Sequence, residues 1–329
     1  MNKPTLFKLM RIVVSAGIIV YLVMRLDLGE IGMHLRSLRI MPLLLAAAAD
    51  FLMIAANSLR WRVLLRAKGI VLSLPRLIYY YLVGIFFSAF LPTSVGGDFA
   101  RIVGVAGVTG RRADAFASVV VERLMGFSVL IPITLLSIPF AAGRLEDARP
   151  IIMVGAAGLL IFVGAYVVLL RPVARRISRL LDPVFGLFLR FRLKERLEKA
   201  YEAIVTYRDS GGAVLQGFAL SVVSRLIWVL GCHFVAQAFS LDVSFATLLV
   251  VVPVVELARA IPISLSGIGV REAAFVALLG QFGVGENLAF AYGLVVYFVF
   301  FVFSIVGGVL YAIGGLGSSI RADGGGRTP

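Results

Sequence analysis

The sequence predicts an all-α polytopic membrane protein, with about six full crossings and two re-entrant broken-helix segments arranged as an inverted-topology repeat. Three observations carry that expectation. Of the 329 residues, 60% are hydrophobic and only 15% charged, and mean hydropathy is +0.99. Several apolar runs approach or exceed the roughly 20 residues that cross a bilayer. One short phrase, finally, occurs twice in apolar surroundings: Pro92-Thr93-Ser94-Val95-Gly96-Gly97-Asp98-Phe99-Ala100-Arg101 and Pro262-Ile263-Ser264-Leu265-Ser266-Gly267-Ile268-Gly269-Val270-Arg271. In each, Ser stands at +2 from the Pro, an aliphatic residue at +3, Gly at +5 and Arg at +9. Proline removes a backbone donor and glycine loosens the chain, so each copy reads as a membrane helix that stops and restarts.

Lys3, Lys8 and Arg11 precede an apolar run from Ile12 to Met24 without a small-residue cleavage site, so residues 6–25 read as an uncleaved first crossing. A loop follows, nearly balanced in charge: Arg25, Asp27, Glu30, Arg36 and Arg39. The second crossing, 42–59, ends in a run holding Arg60, Arg62, Arg66, Lys68 and Arg76 with no acid. Basic loops stay cytoplasmic, which places the N-terminus there too.

Residues 77–110 leave from that loop and end at Arg111-Arg112, also basic, so the break at Pro92–Asp98 returns the chain to the same side. Crossings at 115–139 and 151–170 flank a near-neutral loop. Residues 171–208 hold ten Lys/Arg against four Asp/Glu, with Leu189, Leu193, Leu197 and Ile204 near helical spacing. This stretch reads either as an amphipathic cytoplasmic helix on anionic lipid headgroups or as a solvated linker. A crossing at 213–239 leads outward, 246–285 contains the second break, and 288–313 is the last crossing. Residues 1–315 form one membrane domain, and 316–329 read as a disordered cytoplasmic tail. The two breaks therefore open from opposite sides.

Irregular backbone at membrane depth must be buried in protein or line a polar cavity. Helices restarting near Asp98 and Ile268 would aim N-terminal amides at the protein centre, where they suit an anion such as phosphate. Arg101 and Arg271, in the first turns, oppose those dipoles. Their counter-charge is either an internal carboxylate (Asp98, Glu122, Glu256 or Glu272) or an anionic headgroup. The ionisable residues inside apolar segments are Asp50, Glu122, Arg123, Arg225, Glu256 and Arg259. Each costs at least ~2.5–3.5 kcal/mol at a helix centre, so each needs a partner or a role. Glu256 and Arg259 can share a helix face, as can Asp50 and Asn57. Glu122-Arg123 stands close enough to the cytoplasmic end for Arg123 to reach water, making this pair the weakest functional candidate of the set.

Other chemistries find little support. The single cysteine and two histidines are too few for Cys-rich or His-based metal sites. Gly96-Gly97 lacks the Gly-Lys-Ser/Thr of a phosphate loop, no ATP site is visible, and no cofactor is expected. Ser94, Ser264 and Ser266 have no neighbouring histidine and read as helix caps. Tyr79-Tyr80-Tyr81 reads as an interfacial aromatic belt, and Phe-rich 298–303 as lipid-facing or packing surface. The net charge of +14 lies in loops and reflects topology rather than nucleic acid.

Taken in order, Pro92, Gly96-Gly97-Asp98, Arg101, Glu122-Arg123, Glu256, Arg259, Pro262, Ser264, Gly267, Gly269 and Arg271-Glu272 resemble the flippase-like membrane family. Its best-known members are the transmembrane portions of the lysylphosphatidylglycerol synthases. The resemblance spans roughly residues 6–315. It implies a protein of the bacterial cytoplasmic membrane that moves a phospholipid or a lipid-linked sugar between leaflets. Arg101, Arg259 and Arg271 would hold the phosphate, with Gly97, Asp98, Glu122, Glu256, Ser264, Gly267 and Glu272 completing the site. The synthases also carry a soluble aminoacyl-transferase domain, for which a chain ending at Pro329 leaves no room, so lysyl transfer is not expected. A membrane-embedded transferase or hydrolase using Asp98 or Glu256 as base, and a non-catalytic partner of a separate synthase, stand as alternatives.

Overall fold

The computed structural model describes residue 24 and residues 26–90, 96–141, 206–260 and 267–315, and these are helical with short connections. The helices are α1 (Leu28–Arg36), α2 (Ile40–Ala67), α3 (Leu74–Phe90), α4 (Gly96–Thr109), α5 (Arg112–Ser128) and α6 (Leu130–Ala141). After a 3-10 turn at Thr206–Asp209 come α7 (Gly211–Ala238), α8 (Phe245–Ala260), α9 (Val270–Gly280) and α10 (Glu286–Gly314). Among the described residues, four spans are long and apolar enough to cross a membrane: α2, Arg112–Ser137, α7 and α10. At 1.5 Å per residue a 28-residue helix is about 42 Å long, more than the ~30 Å hydrocarbon thickness. Ile40, Leu52, Leu215, Phe298 and Ile313 are exposed large apolar side chains, which hydrocarbon rather than water tolerates. The crossings expected at 6–25 and 151–170, the stretch 171–205 and the tail 316–329 lie outside the described residues.

The chain repeats itself well beyond the phrase that announced it. Helices of 28, 17 and 14 residues (α2, α3, α4) are followed later by helices of 28, 16 and 11 (α7, α8, α9). A shift of 171 residues carries Ile40 onto Gly211 and Leu74 onto Phe245, the starts of the matching helices. The long helices α2 and α7 pack against each other along their length, antiparallel. The Arg39 amide donates to the Ala238 carbonyl at 3.1 Å near one end, and Arg60 meets Ser221 near the other. Between them, a Cβ on Gly231 would stand 3.1 Å from Asp50 Oδ1. Under the same shift Arg60 becomes Gly231 and Ser221 becomes Asp50. The two contacts are therefore counterparts about a twofold axis. Each broken segment then packs onto the other half, α3 on α10 and α8 on α6.

Both broken segments fold back on themselves. In the first, α3 and α4 run antiparallel and touch through glycines. A Cβ on Gly97 would sit 2.1 Å from the Gly84 carbonyl oxygen and from Ser88 Oγ, so only glycine fits there. Farther along, Gly104 lies under the Tyr80 ring. In the second, α9 begins one turn after the break. Its N-cap, Gly269, has φ +85°, a left-handed conformation that other residues avoid, and its amide donates to Glu272 Oε2 at 2.8 Å. The breaks themselves, 91–95 and 261–266, are outside the described residues, including Ser94, Pro262, Ser264 and Ser266.

Three sequence expectations are corrected by the packing. Residues 28–36, read as loop, form α1, because Asp27 caps the helix by accepting from the Gly29 and Glu30 amides. Asn287 of α10 holds that cap in place by accepting from the Asp27 amide at 3.0 Å. Arg60-Trp61-Arg62, read as the start of a cytoplasmic loop, continue α2 to Ala67. There Trp61 is 0% exposed and its indole donates to Ser118. The tyrosine run is not an interfacial belt throughout: Tyr80 is fully buried against Gly104, and Tyr81 points into the protein.

Candidate functional site

Each break carries three arginines and two carboxylates. At the first, Glu122 of α5 is 1% exposed and stands at the centre. Its Oε1 accepts from Arg60 Nη2 at 2.7 Å and from the Tyr81 hydroxyl at 3.3 Å, and its Oε2 accepts from Arg101 Nη2. Arg60 also donates to Ser221 Oγ of α7 at 2.9 Å, joining the two halves. The Arg101 guanidinium is stacked between Trp61 and Tyr81, 4.1 and 4.2 Å from their ring centroids. Asp98, in the first turn of α4, approaches Arg101 at 3.7 Å and accepts from Arg123 Nε. Its carboxylate suits the positive helix terminus.

At the second break, Glu272 caps Gly269 through one oxygen and accepts from Arg271 Nε at 3.1 Å and from its Nη2 through the other. Arg271 lies over the Tyr297 ring at 4.0 Å. One turn of α8 links Glu256 and Arg259, whose Nη2 donates to Glu256 Oε2 at 3.0 Å. Arg225 of α7 reaches that same oxygen only at 3.8 Å. Gly267, φ +83°, lies against the aliphatic stem of Arg259. Trp228, Glu256, Arg259, Arg271, Tyr297 and Phe300 are among the residues that line a cavity of about 10 Å³ between α7, α8, α9 and α10. That is room for roughly one water molecule.

The sequence candidates thus fall into two groups: Gly97, Asp98, Arg101 and Glu122 at one break, Glu256, Arg259, Gly267, Arg271 and Glu272 at the other. Of the Glu122-Arg123 pair, the Arg123 side chain is 44% exposed, as its place near a helix end suggests, whereas Glu122 is the buried hub of its network. Asp50 and Asn57 form no direct contact; Asp50 faces Gly231, and Asn57 donates to Met53 Sδ. Sequence reading missed Arg60, Trp61, Tyr81, Trp228 and Tyr297 as site residues. Helical phase would have found Trp61, because Ile54, Ser58, Trp61 and Leu65 fall at i, i+4, i+7 and i+11 on one buried face. No group of carboxylates, histidines and cysteine among the described residues has the proximity to hold a metal ion.

The family model for the lysylphosphatidylglycerol synthase transmembrane region matches residues 8–317 of this chain. The chain belongs to this family. It is also 25% identical over 294 residues to a UPF0104 membrane protein of Methanothermobacter thermautotrophicus, covering 85% of this chain and 87% of that protein. No solved structure matches. Family membership and the apolar spans agree in making this a multi-pass membrane protein.

Proposed function

We propose that the protein is a lipid translocase, binding an anionic phosphate-bearing or lipid-linked headgroup between its two broken-helix hairpins. The observation that supports this most is the charge of the two networks, each with three arginines against two carboxylates among the described residues of a membrane protein. Buried charge is expensive unless paired, so a residual positive charge favours an anionic occupant. The family's name, which ties it to the synthesis of a phospholipid, is in accord. The carboxylates act as resident anions. An arriving phosphate takes Arg271 from Glu272 and Arg259 from Glu256, exchanging one charge-assisted pair for another. Acyl chains stay in the bilayer throughout. A gap of about 10 Å³ is too small for a headgroup, so the α8–α9 hairpin parts from α10 to admit one. Movement is driven by the lipid gradient or by an ion gradient.

The charge bias of the loops supports a cytoplasmic position for both termini, and the proposed setting is the cytoplasmic membrane of a bacterium. The excess of Lys/Arg in the stretch 171–208 suits it to anionic headgroups. The test is reconstitution in liposomes with fluorescent anionic, aminoacylated and neutral lipids labelled in one leaflet. Quencher accessibility is followed for wild type, Arg101→Ala and Arg271→Ala. Faster equilibration of one lipid class, reduced tenfold or more in both variants, is expected. Equal rates in wild type and Arg271→Ala, or no acceleration of any lipid, overturn the reading.

A further inference from the structure

The two networks are not separate; they meet at Gly126. This glycine of α5 lies one turn beyond Glu122. A Cβ on it would stand 3.4 Å from Arg225 Nη2 and 3.6 and 3.9 Å from the two terminal nitrogens of Arg60. One guanidinium from each half of the repeat therefore flanks the same bare patch of helix. Like charges placed together in a low-dielectric interior repel, and burying them unpaired is costly.

Their partners do not cancel this. Arg60 is 4% exposed and shares Glu122 with Arg101, while its Nε has no hydrogen-bond partner among the described residues. Arg225 is less well satisfied. Its nearest carboxylate oxygen is 3.8 Å away and already receives a 3.0 Å hydrogen bond from Arg259, and its own buried Nε is unpartnered among the described residues. One turn along the same face of α7, Trp228 lines the cavity at the second hairpin, and its Nε1–H is unpartnered among the described residues as well. Among the described residues, unused donors of this kind occur on Arg60, Arg225 and Trp228.

We infer that Arg60 and Arg225, separated by the missing side chain of Gly126, form a transfer station at which the phosphate diester of a lipid passes from one hairpin's network to the other's. This inference rests on the translocase reading and specifies its path. Two guanidiniums present converging N–H groups to the oxygens of one phosphodiester. The singly negative diester also relieves the repulsion between them, so binding there is favoured by charge as well as by hydrogen bonding. Gly126 supplies the space: a bulkier residue would stand where the phosphate has to pass. Arg60 is held by Glu122 and Ser221 as a fixed post, whereas Arg225 is the arm free to engage.

The test uses the full chain in liposomes, with fluorescent phosphatidylglycerol and fluorescent glucosylceramide as probes, and the variants Arg225→Gln, Arg225→Lys and Gly126→Val. Folding of each is checked by melting temperature and by elution as one species. Arg225→Gln gives up no short hydrogen bond, so its melting temperature stays near wild type. Expected is a tenfold or greater loss of phosphatidylglycerol movement in Arg225→Gln and Gly126→Val, with partial recovery in Arg225→Lys. Movement of phosphatidylglycerol at the wild-type rate in both Arg225→Gln and Gly126→Val overturns the transfer station while leaving the translocase reading intact. Equal loss for glucosylceramide, which has no phosphate, also overturns it. A wild-type protein that moves neither probe defeats both readings together.

Discussion

Among the described residues, replacing Glu122 by Gln removes the only carboxylate that Arg60 touches and the closest one to Arg101. In the variant Arg60 keeps Ser221 Oγ at 2.9 Å, a neutral partner, and Arg101 keeps Asp98 at 3.7 Å, a distant one already engaged with Arg123. The amide also turns an NH2 group toward one guanidinium. Removing one member of a buried ion pair costs about 3–5 kcal/mol, because the other charge is left in a medium that cannot solvate it. Asp98 moderates this for Arg101, whereas Arg60 keeps only the neutral Ser221 among the described residues, so a loss within that range is expected. Removing the stranded cation as well, in Glu122→Gln/Arg60→Met, should recover at least ~1–2 kcal/mol relative to the sum of the single changes. The assay is thermal unfolding in detergent followed by the fluorescence of Trp61 and Trp228, the two tryptophans of the chain. Glu286→Gln serves as control: its exposed carboxylate in the first turn of α10 should matter by no more than ~1 kcal/mol. Melting of Glu122→Gln with wild type, or simple additivity in the double variant, would show that Arg60 does not depend on this carboxylate.

Three further outcomes follow from the packing. Gly97→Ala places a methyl 2.1 Å from the Gly84 carbonyl and must push α3 and α4 apart, a loss of at least ~1–3 kcal/mol. Gly107→Ala in the same helix meets nothing within 4 Å and should be neutral or gain up to ~1 kcal/mol. Tyr292→Phe removes the donor to the Cys232 carbonyl at 3.0 Å in a fully buried site and should lower stability by about 1 kcal/mol, read as a drop in melting temperature. Cys232 itself is 2% exposed, so it should react with a maleimide at least tenfold more slowly in the folded protein than after denaturation, measured by mass shift against time.

The breaks were legible because their cause is local. Proline and glycine punctuate an apolar run, and no distant residue is needed to see that the helix stops. The pairing of arginines with carboxylates was legible for Glu256 with Arg259, which one helical turn brings together. What stayed hidden depended on distance in sequence. Arg60 hid among Arg62, Arg66 and Lys68, whose basic run marks a membrane side, yet its partners Glu122 and Ser221 stand 62 and 161 residues away. The surroundings of Glu122 were hidden for the same reason: only the folded chain brings Arg60, Arg101 and Tyr81 around it. Tyr81 illustrates the limit of composition, since three consecutive tyrosines on a helix point in three directions and no single environment can serve them all.

In the proposed translocation the second hairpin opens, and one cross-link addresses that motion. Gly293 of α10 faces Phe275 of α9, and a Cβ on the glycine would lie 3.6 Å from the Phe275 Cβ, within the range a disulfide spans. In a protein with Cys232 replaced by Ala, Phe275→Cys and Gly293→Cys can be joined, the new sulfurs refilling part of the lost ring volume. Lipid movement in liposomes would be measured on the same preparation before oxidation, after oxidation and after reduction. The account predicts that the oxidised protein moves lipid at the protein-free rate and that reduction restores movement. Unchanged movement with the bond demonstrably closed would mean that lipid does not pass by parting α9 from α10.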